Sequence, residues 1–326
     1  MAKNNRVPVL TANDWFAQGE RISYTLSNTN RNSQPKNSKP LKIFRFRHGY
    51  GDMVVTLLGG FPDGSYGWSR VLPFLPSAED MPKLFLDYVG QGDSDKPKKY
   101  PYGVIERADL VEAQWRDLNI HSTTIVTFDY SSLVAMELLR RQQDRQNSFG
   151  EDVTKISGVM VVNGGLFADG HSHPFMTTPL LKTPVGRIGT WFAQRSRFIF
   201  GQMMMVLWSR EYGVSRREIS ELYNVVTRRN GAAFLANAAG FVDEHKSHSK
   251  RWDFGSIFHE LRERCLFLVV GSKKDPFEHR QVKLAKKRLA GHGLDVRMLP
   301  GGHLTTSEHP DQLAALITDF YQSARC

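Results

Sequence analysis

The sequence predicts an α/β fold, a mostly parallel, doubly wound sheet with an inserted helical segment, and three observations carry that prediction. Short apolar runs recur, each followed by a turn and then helix-like spacing: Val54 to Leu58 before Gly59-Gly60, Leu84 to Leu86 before Asp87, Thr124 to Val126 before Asp129, and Val159 to Val162 before Asn163. Alternation of this kind puts helices on both faces of a parallel sheet. Strand patterning then stops near Val162 and resumes near Cys265, with Pro184, Gly201, Gly213 and Gly231 punctuating helical patterns in between. One apolar run, Val126-Thr127-Phe128, stops at a single carboxylate, Asp129, and the chain re-enters a helical pattern through Leu133, Val134, Met136, Leu138 and Leu139.

Taken in order, the opening residues (MAKNNRVPVLTANDW) carry charge but no apolar core of signal-peptide length. The polar stretch from Ser27 to Pro40 reads as an exposed loop between early strands. Leu57 to Gly64 (LLGGFPDG) fits a loop that follows an early strand and supplies an oxyanion donor, with the backbone N–H groups of Phe61 and Tyr130 aimed at developing negative charge. Asp87 to Pro97 has the glycines of a phosphate loop but neither the Lys-Ser/Thr ending nor the dinucleotide spacing, so its role is structural. With 326 residues and 40% hydrophobic content, the chain can build one catalytic domain with a lid. Residues 1–165 and 256–326 are expected to form the core, and 166–255 a helical cap. The aromatic and Met-rich part of that cap, Trp191 to Trp208, has two readings: lining for a substrate cavity, or ordinary packing of cap on core, which takes the larger share.

The carboxylate at Asp129 reads as the apex of a nucleophile elbow. Such a turn brings strand and helix backbones close, so the residues two before and two after the apex must be small. Thr127 and Ser131 satisfy this only if Asp129 is central; centring on Ser131 or Ser132 puts Leu133, or Tyr130 and Val134, at the small positions. A carboxylate attacks an electrophilic carbon without a base and leaves a covalent ester. Water must cleave that ester, which requires a general base and a group to orient it. The strand-like run Leu266 to Val270 leads into Gly271-Ser272-Lys273-Lys274-Asp275, and Val296 to Leu299 leads into Pro300-Gly301-Gly302-His303. Nucleophile, acid and His therefore occur in the order of the α/β-hydrolase triad, each past a strand end, where ligands of such sheets bind.

Composition narrows the partners. The formal charge is +10 and the pI about 9.6. Basic residues are nevertheless scattered in pairs among acids, and the densest cluster (Lys283, Lys286, Lys287, Arg288) has the spacing of a solvated helix face, which argues against a nucleic acid or a membrane surface as partner. Two cysteines, Cys265 and Cys326, exclude a disulfide framework and fit a cytoplasmic protein. No segment reaches the roughly 18 apolar residues of a spanning helix. His171 with His173, and His245 with His248, fall in polar loops expected to be exposed, without partnering cysteines or a helical HExxH pattern, so neither metal nor cofactor is expected.

In this order, GGFPDGSYGW, DYVGQGDSDKP, FDYSSLVAMELL, NGGLF, GSKKDPF and GGHLTTSEHP resemble the α/β-hydrolase superfamily, in its epoxide hydrolase and haloalkane dehalogenase branch. Within it they resemble the mesoderm-specific transcript-like group, whose elbow reads HDYGD. The resemblance runs from about Leu57 to the C-terminus. It implies Asp129 as nucleophile, His303 as base, Asp275 as orienting acid, and Phe61 and Tyr130 as oxyanion donors. Asn163 stands where some relatives keep the acid, and its lack of charge favours Asp275. The His of the family's HGFP is Gly59 here, the elbow His is Phe128, its Gly is Ser131 and the following Asp is Ser132. Ser131 is expected to strain the turn. Tyr130 and Phe61 stand where a dehalogenase has halide donors, which disfavours halide chemistry. Epoxide hydrolases protonate the epoxide oxygen with cap tyrosines, for which Tyr212 and Tyr223 are the candidates. Opening of an epoxide in a small apolar substrate is the leading expectation, with ester-type hydrolysis at the same site, or a non-catalytic binding protein on the same fold, as alternatives.

Overall fold

The computed structural model describes residues 7–25, 40–98, 100, 102–146, 153–171, 184–231 and 241–325. Most of the Ser27 to Pro40 segment, and His173, lie outside them.

Eight strands form one sheet: β1 (Glu20–Tyr24), β2 (Leu41–His48), β3 (Met53–Leu58), β4 (Lys83–Leu86), β5 (Ser122–Phe128), β6 (Lys155–Val162), β7 (Leu266–Ser272) and β8 (Asp295–Leu299). Their spatial order is β1-β2-β4-β3-β5-β6-β7-β8. β1 and β2 pair antiparallel, as do β2 and β4, and every later neighbour is parallel. Successive strand residues point to opposite faces. Val54, Val159, Val161, Phe267 and Val269 therefore enter one buried cluster, while Val55, Leu57, Met160, Val162, Leu268 and Val270 enter the other. Burial on both faces is why these strands read as continuous apolar runs rather than alternating ones.

Helices cover each face. α1 (Ala12–Phe16) supplies Trp15 and Phe16 to the second cluster, and α2 (Val104–Asp117) and α3 (Ser131–Gln146) pack on the first. Between β6 and β7 the described residues contain helices and no strand: α4 (Pro184–Ala193), α5 (Arg197–Met204), α6 (Arg216–Thr227), α7 (Phe241–Ser247) and α8 (Phe254–Leu261). Local chemistry starts several of them. Ser215 and Glu218 form a reciprocal capping box on α6, and the Asp253 carboxylate accepts the Ser256 N–H at the start of α8. Each such cap is worth about 1 kcal/mol. Glu137 on α3 fixes the chain returning from the insertion, accepting from Arg251 and from the Trp252 indole at 2.7 and 2.8 Å. α9 (His279–Leu289), α10 (Thr305–Glu308) and α11 (Pro310–Arg325) complete the chain. On α9, Val282, Ala285 and Leu289 face inward, while Lys283, Lys286, Lys287 and Arg288 are solvated as their spacing predicts.

Candidate active site

β5 ends at Phe128 and α3 begins at Ser131, so Asp129 occupies a two-residue turn with φ +57°. A left-handed conformation is uncommon for a non-glycine residue and costs on the order of 1 kcal/mol or more, so it persists only where neighbours hold it. Here the Asp129 N–H donates to the carbonyl of Val162 at 3.1 Å, tying the apex to the end of the adjacent strand. Backbone crowding makes small residues obligatory around it. A Cβ at Gly60 would lie 2.4 Å from Asp129 Cβ, and one at Gly59 would lie 1.9 Å from the carbonyl oxygen of Gly64. The family's His cannot replace Gly59 in this loop without moving it.

Ser131 corrects one expectation. It is the first residue of α3 and has no positive φ; its buried hydroxyl donates to the Gly59 carbonyl at 2.6 Å and shares a 3.1 Å hydrogen bond with the Tyr88 hydroxyl. The substitution ties the elbow to the Gly59-Gly60 loop rather than straining it. The Ser132 hydroxyl is also buried and donates to the Gly165 carbonyl at 2.8 Å. Both serine hydroxyls are thus spent on main-chain carbonyls.

The two oxygens of Asp129 face different groups. Oδ2 accepts the Phe61 N–H at 2.9 Å, and the Tyr130 N–H also bonds the carboxylate. Oδ1 faces Nε2 of His303 at 3.7 Å. On the far side of the ring, His303 Nδ1 lies 3.1 Å from both oxygens of Asp275, which also accepts the Phe277 N–H at 2.9 Å. The rings of Phe128 and Phe277 pack against the imidazole, their centroids 5.1 and 5.2 Å from its own. Asn163 links the neighbouring strand ends: its amide donates to Ser272 Oγ and to the His303 carbonyl, at 2.9 and 2.7 Å, and its oxygen accepts the Ser272 N–H. It positions the His303 loop instead of serving as the acid.

Burial dominates the protonation of Asp129. It disfavours the carboxylate and lifts the pKa to about 6, against the opposing pull of His303 and the Phe61 amide. Burial also disfavours a charged His303, but the charge of Asp275, joined by those of Asp129 and Glu278, outweighs it and raises the imidazole to about 9. The two shifts work in one direction: the carboxylates around His303 favour a proton on the imidazole that faces Asp129.

The supporting shell was not legible beforehand. Gln91, inside the glycine loop read as structural, donates from Nε2 to the Gly60 carbonyl and to the Tyr130 hydroxyl, both at 2.7 Å. Asp87 accepts the N–H groups of Ser65 and Asp93, and Gly92, at φ +45°, leaves no room for a Cβ against it. The structural role expected of that loop is what its hydrogen bonds describe. Two further buried acids flank the site: Asp63, raised by burial to about 7, and Glu278, whose charge acts on both Asp129 and His303.

Other expectations change. The hydroxyl of Tyr212 accepts from Arg70 and donates to Glu218, itself 2.9 Å from Arg70, and the hydroxyl of Tyr223 donates to the Gln194 carbonyl at 2.8 Å. These are the partners of the two hydroxyls proposed from the sequence as substrate contacts. His171 and His245 are buried rather than exposed, with Nε2 of His171 2.7 Å from Nδ1 of His245, whose Nε2 faces the Trp252 carbonyl at 3.3 Å. Burial lowers both to about 4, so they are neutral. Among the described residues no group of three or more His, Cys, Asp or Glu side chains could hold a metal ion, and no helix is long and apolar enough to cross a membrane.

A family model described as the alpha/beta hydrolase family matches residues 54–316. The mesoderm-specific transcript protein of Mus musculus is 28% identical over 203 residues, covering 61% of this chain and 58% of the relative. The chain thus matches somewhat over half the length of that relative. Among solved structures, a haloalkane dehalogenase, DatA, from Agrobacterium tumefaciens superposes with a TM-score of 0.69 at 17% identity, over 94% of this chain and 97% of its own. A thermophilic esterase from Thermogutta terrifontis gives a TM-score of 0.65 at 16% identity, over 94% and 100%. At such identities the likeness is one of fold, and the family model, spanning most of the sequence, carries the assignment: this chain belongs to the alpha/beta hydrolase family.

Proposed function

We propose that the chain is a hydrolase that uses Asp129 as a nucleophile, forms a covalent ester, and cleaves it with water activated by His303, with epoxide opening on a small apolar substrate as the leading reaction. Residues 166–255 act as the lid over a core made by 1–165 and 256–326. The observation that carries this reading is the division of the Asp129 carboxylate, one oxygen held by the Phe61 main-chain amide and the other open toward His303. Both nearby serines are occupied by carbonyls, which supports a carboxylate nucleophile.

In the first step, Oδ1 bonds to an epoxide carbon, the ring C–O bond breaks, and the released oxygen takes the proton of the His303 imidazolium. That proton is available because neighbouring carboxylates hold it on the ring. The engagement of Tyr212 and Tyr223 elsewhere favours His303 as this donor. The neutral imidazole then removes a proton from water as its oxygen attacks Cγ. Negative charge develops on Oδ2, where the Phe61 amide already points, with the Tyr130 amide proposed to join it, a fixed stabilisation that needs little reorganisation. Collapse expels the alcohol oxygen, which takes the proton from His303. The Asp129 carboxylic acid returns its proton to the imidazole, closing the cycle with one water consumed.

The two steps are separable by mutation. His303→Gln slows ester formation, because water must then supply the proton to the released oxygen, but stops ester hydrolysis for want of a base. On long incubation, intact-mass spectrometry with an epoxide substrate should therefore show an adduct mapping to Asp129 that is missing in Asp129→Ala. A fluorophosphonate probe should leave the protein unlabelled. An adduct on another residue, or stoichiometric labelling of Ser131 or Ser132, refutes the assignment.

A further inference from the structure

Seven of the eleven large apolar side chains exposed among the described residues fall within nineteen consecutive positions, 188–206. On α4, Ile188, Trp191 and Phe192 stand at i, i+3 and i+4 and so share a face. On α5 and the turn after it, Phe198 and Met205 are seven residues apart; Phe198 is 74% exposed. The opposite side is ordinary core: Ala193, Phe200 and Leu207 are buried, with the Phe200 ring 5.4 Å from that of Tyr223 on α6. A soluble surface rarely gathers so many apolar residues without something to cover them.

The charge around this face is one-sided. Residues 184–210 contain four arginines and no Asp or Glu, one of several acid-free stretches in this basic chain, and here it coincides with the exposed apolar side chains. Arg195 and Arg197 are exposed, and the Arg195 guanidinium lies 4.0 Å over the Trp191 ring. A second copy of the chain is a poor occupant, because a symmetric contact would set arginines against arginines with no acid between them. Trp, Phe, Ile and Met flanked by Arg on short amphipathic helices match the plane where lipid headgroups meet acyl chains. With 10 and 8 residues, α4 and α5 can lie on a bilayer but not cross it.

We infer that the outer face of α4 and α5 docks on the surface of an anionic lipid bilayer, Trp191, Phe192 and Phe198 entering the headgroup layer while Arg195 and Arg197 meet lipid phosphates and carboxylates. Docked in this way, the insertion draws apolar substrate from the bilayer. Only this last consequence rests on the proposed hydrolase activity, and the test reads binding rather than turnover.

The full chain is sedimented with phosphatidylcholine vesicles, with and without about 30% phosphatidylserine. Binding to the anionic vesicles is expected, weaker on pure phosphatidylcholine and weakened again by about 0.5 M NaCl. Trp191→Ser/Phe198→Glu should reduce partitioning at least about tenfold, and Arg195→Glu/Arg197→Glu should abolish the preference for phosphatidylserine, both with unchanged circular dichroism and melting temperature. Absence of wild-type binding to either vesicle, or binding undiminished in Trp191→Ser/Phe198→Glu, overturns the inference. A dimer in sedimentation equilibrium that Phe198→Glu disperses, with no vesicle binding, overturns it in favour of a second copy.

Discussion

At the strand ends around Asp129, charged and polar groups are buried and each is tied to the sheet; in the insertion at 188–206, apolar groups are exposed and little holds them there. Asp129, Asp275 and His303 are all under 10% exposed; the N–H groups of Asp129 and Asp275 donate to the carbonyls of Val162 and Ser272, and the His303 carbonyl accepts from the Thr305 N–H and the Asn163 amide. Phe198 and Ile188 are 74% and 57% exposed on helices whose inner faces alone are committed. The contrast separates two ways a sequence can depart from apolar-inside, polar-outside. Burying a charge costs free energy that surrounding hydrogen bonds must offset, so the departure is compatible with function only if geometry is fixed. Exposing a hydrophobe costs little in the folded chain and gains meaning from what covers it.

The sharpest break of this comparison is at Asp275. As the carboxylate that holds the His303 ring and most raises its pKa, its change to Asn should slow ester hydrolysis by about 10²–10⁴ and move the pH dependence of that step to lower pH. Single-turnover rates against pH test this. In the wild-type protein the step should accelerate as pH rises, because the base must be neutral. Its midpoint should fall below about 9, since esterification removes the Asp129 charge that helps hold the proton. A pH-independent step between 6 and 9 would exclude His303 as base.

A smaller effect concerns stability. Folded Asp129 protonates near pH 6, and its ordinary value is 3.8. Between those values the folded state binds the extra proton, so this residue's contribution to stability is present below about 4 and is lost as pH rises through 6. Asp129→Asn, which tolerates the left-handed conformation, should therefore stabilise the protein at pH 8 by about 1–2 kcal/mol, with the gain vanishing near pH 4. Thermal melts of both proteins at the two pH values decide it. Ser131→Ala, which removes the hydroxyl shared by Gly59 and Tyr88, should destabilise by about 1 kcal/mol and lower turnover through the displaced Phe61 amide. A Ser131→Ala protein as active as wild type would show that the tie is dispensable. Least affected should be Phe198→Glu, within about 0.5 kcal/mol of wild type by urea unfolding, as expected for an exposed site. A loss above about 2 kcal/mol would mean that the ring is packed.

Much of this was legible because it is local. The strands were readable since their residues are buried on both faces, and the elbow because only Asp129 leaves small residues at 127 and 131. Asp275 and His303 could be nominated from their places just past strand ends, in the chain order of a known constellation. What failed to be read depends on partners far away in sequence. Ser131 looked like strain because its acceptor, Gly59, is 72 residues earlier. His171 and His245, 74 residues apart, looked solvated in polar sequence, yet they bury one another.

The sequence by itself determined the strand-and-helix alternation, the carboxylate at the apex, and the mixture of aromatics, methionines and arginines at 184–210, since these depend on residue identity and short-range spacing. Only the tertiary structure decided which oxygen of Asp129 meets the amides and which meets His303, what each tyrosine and histidine is bonded to, and that the apolar residues of α4 and α5 face outward. Periodicity gives a helix two faces but not the direction in which either points; that is set by where the remaining elements leave room, and room is a property of the packed chain.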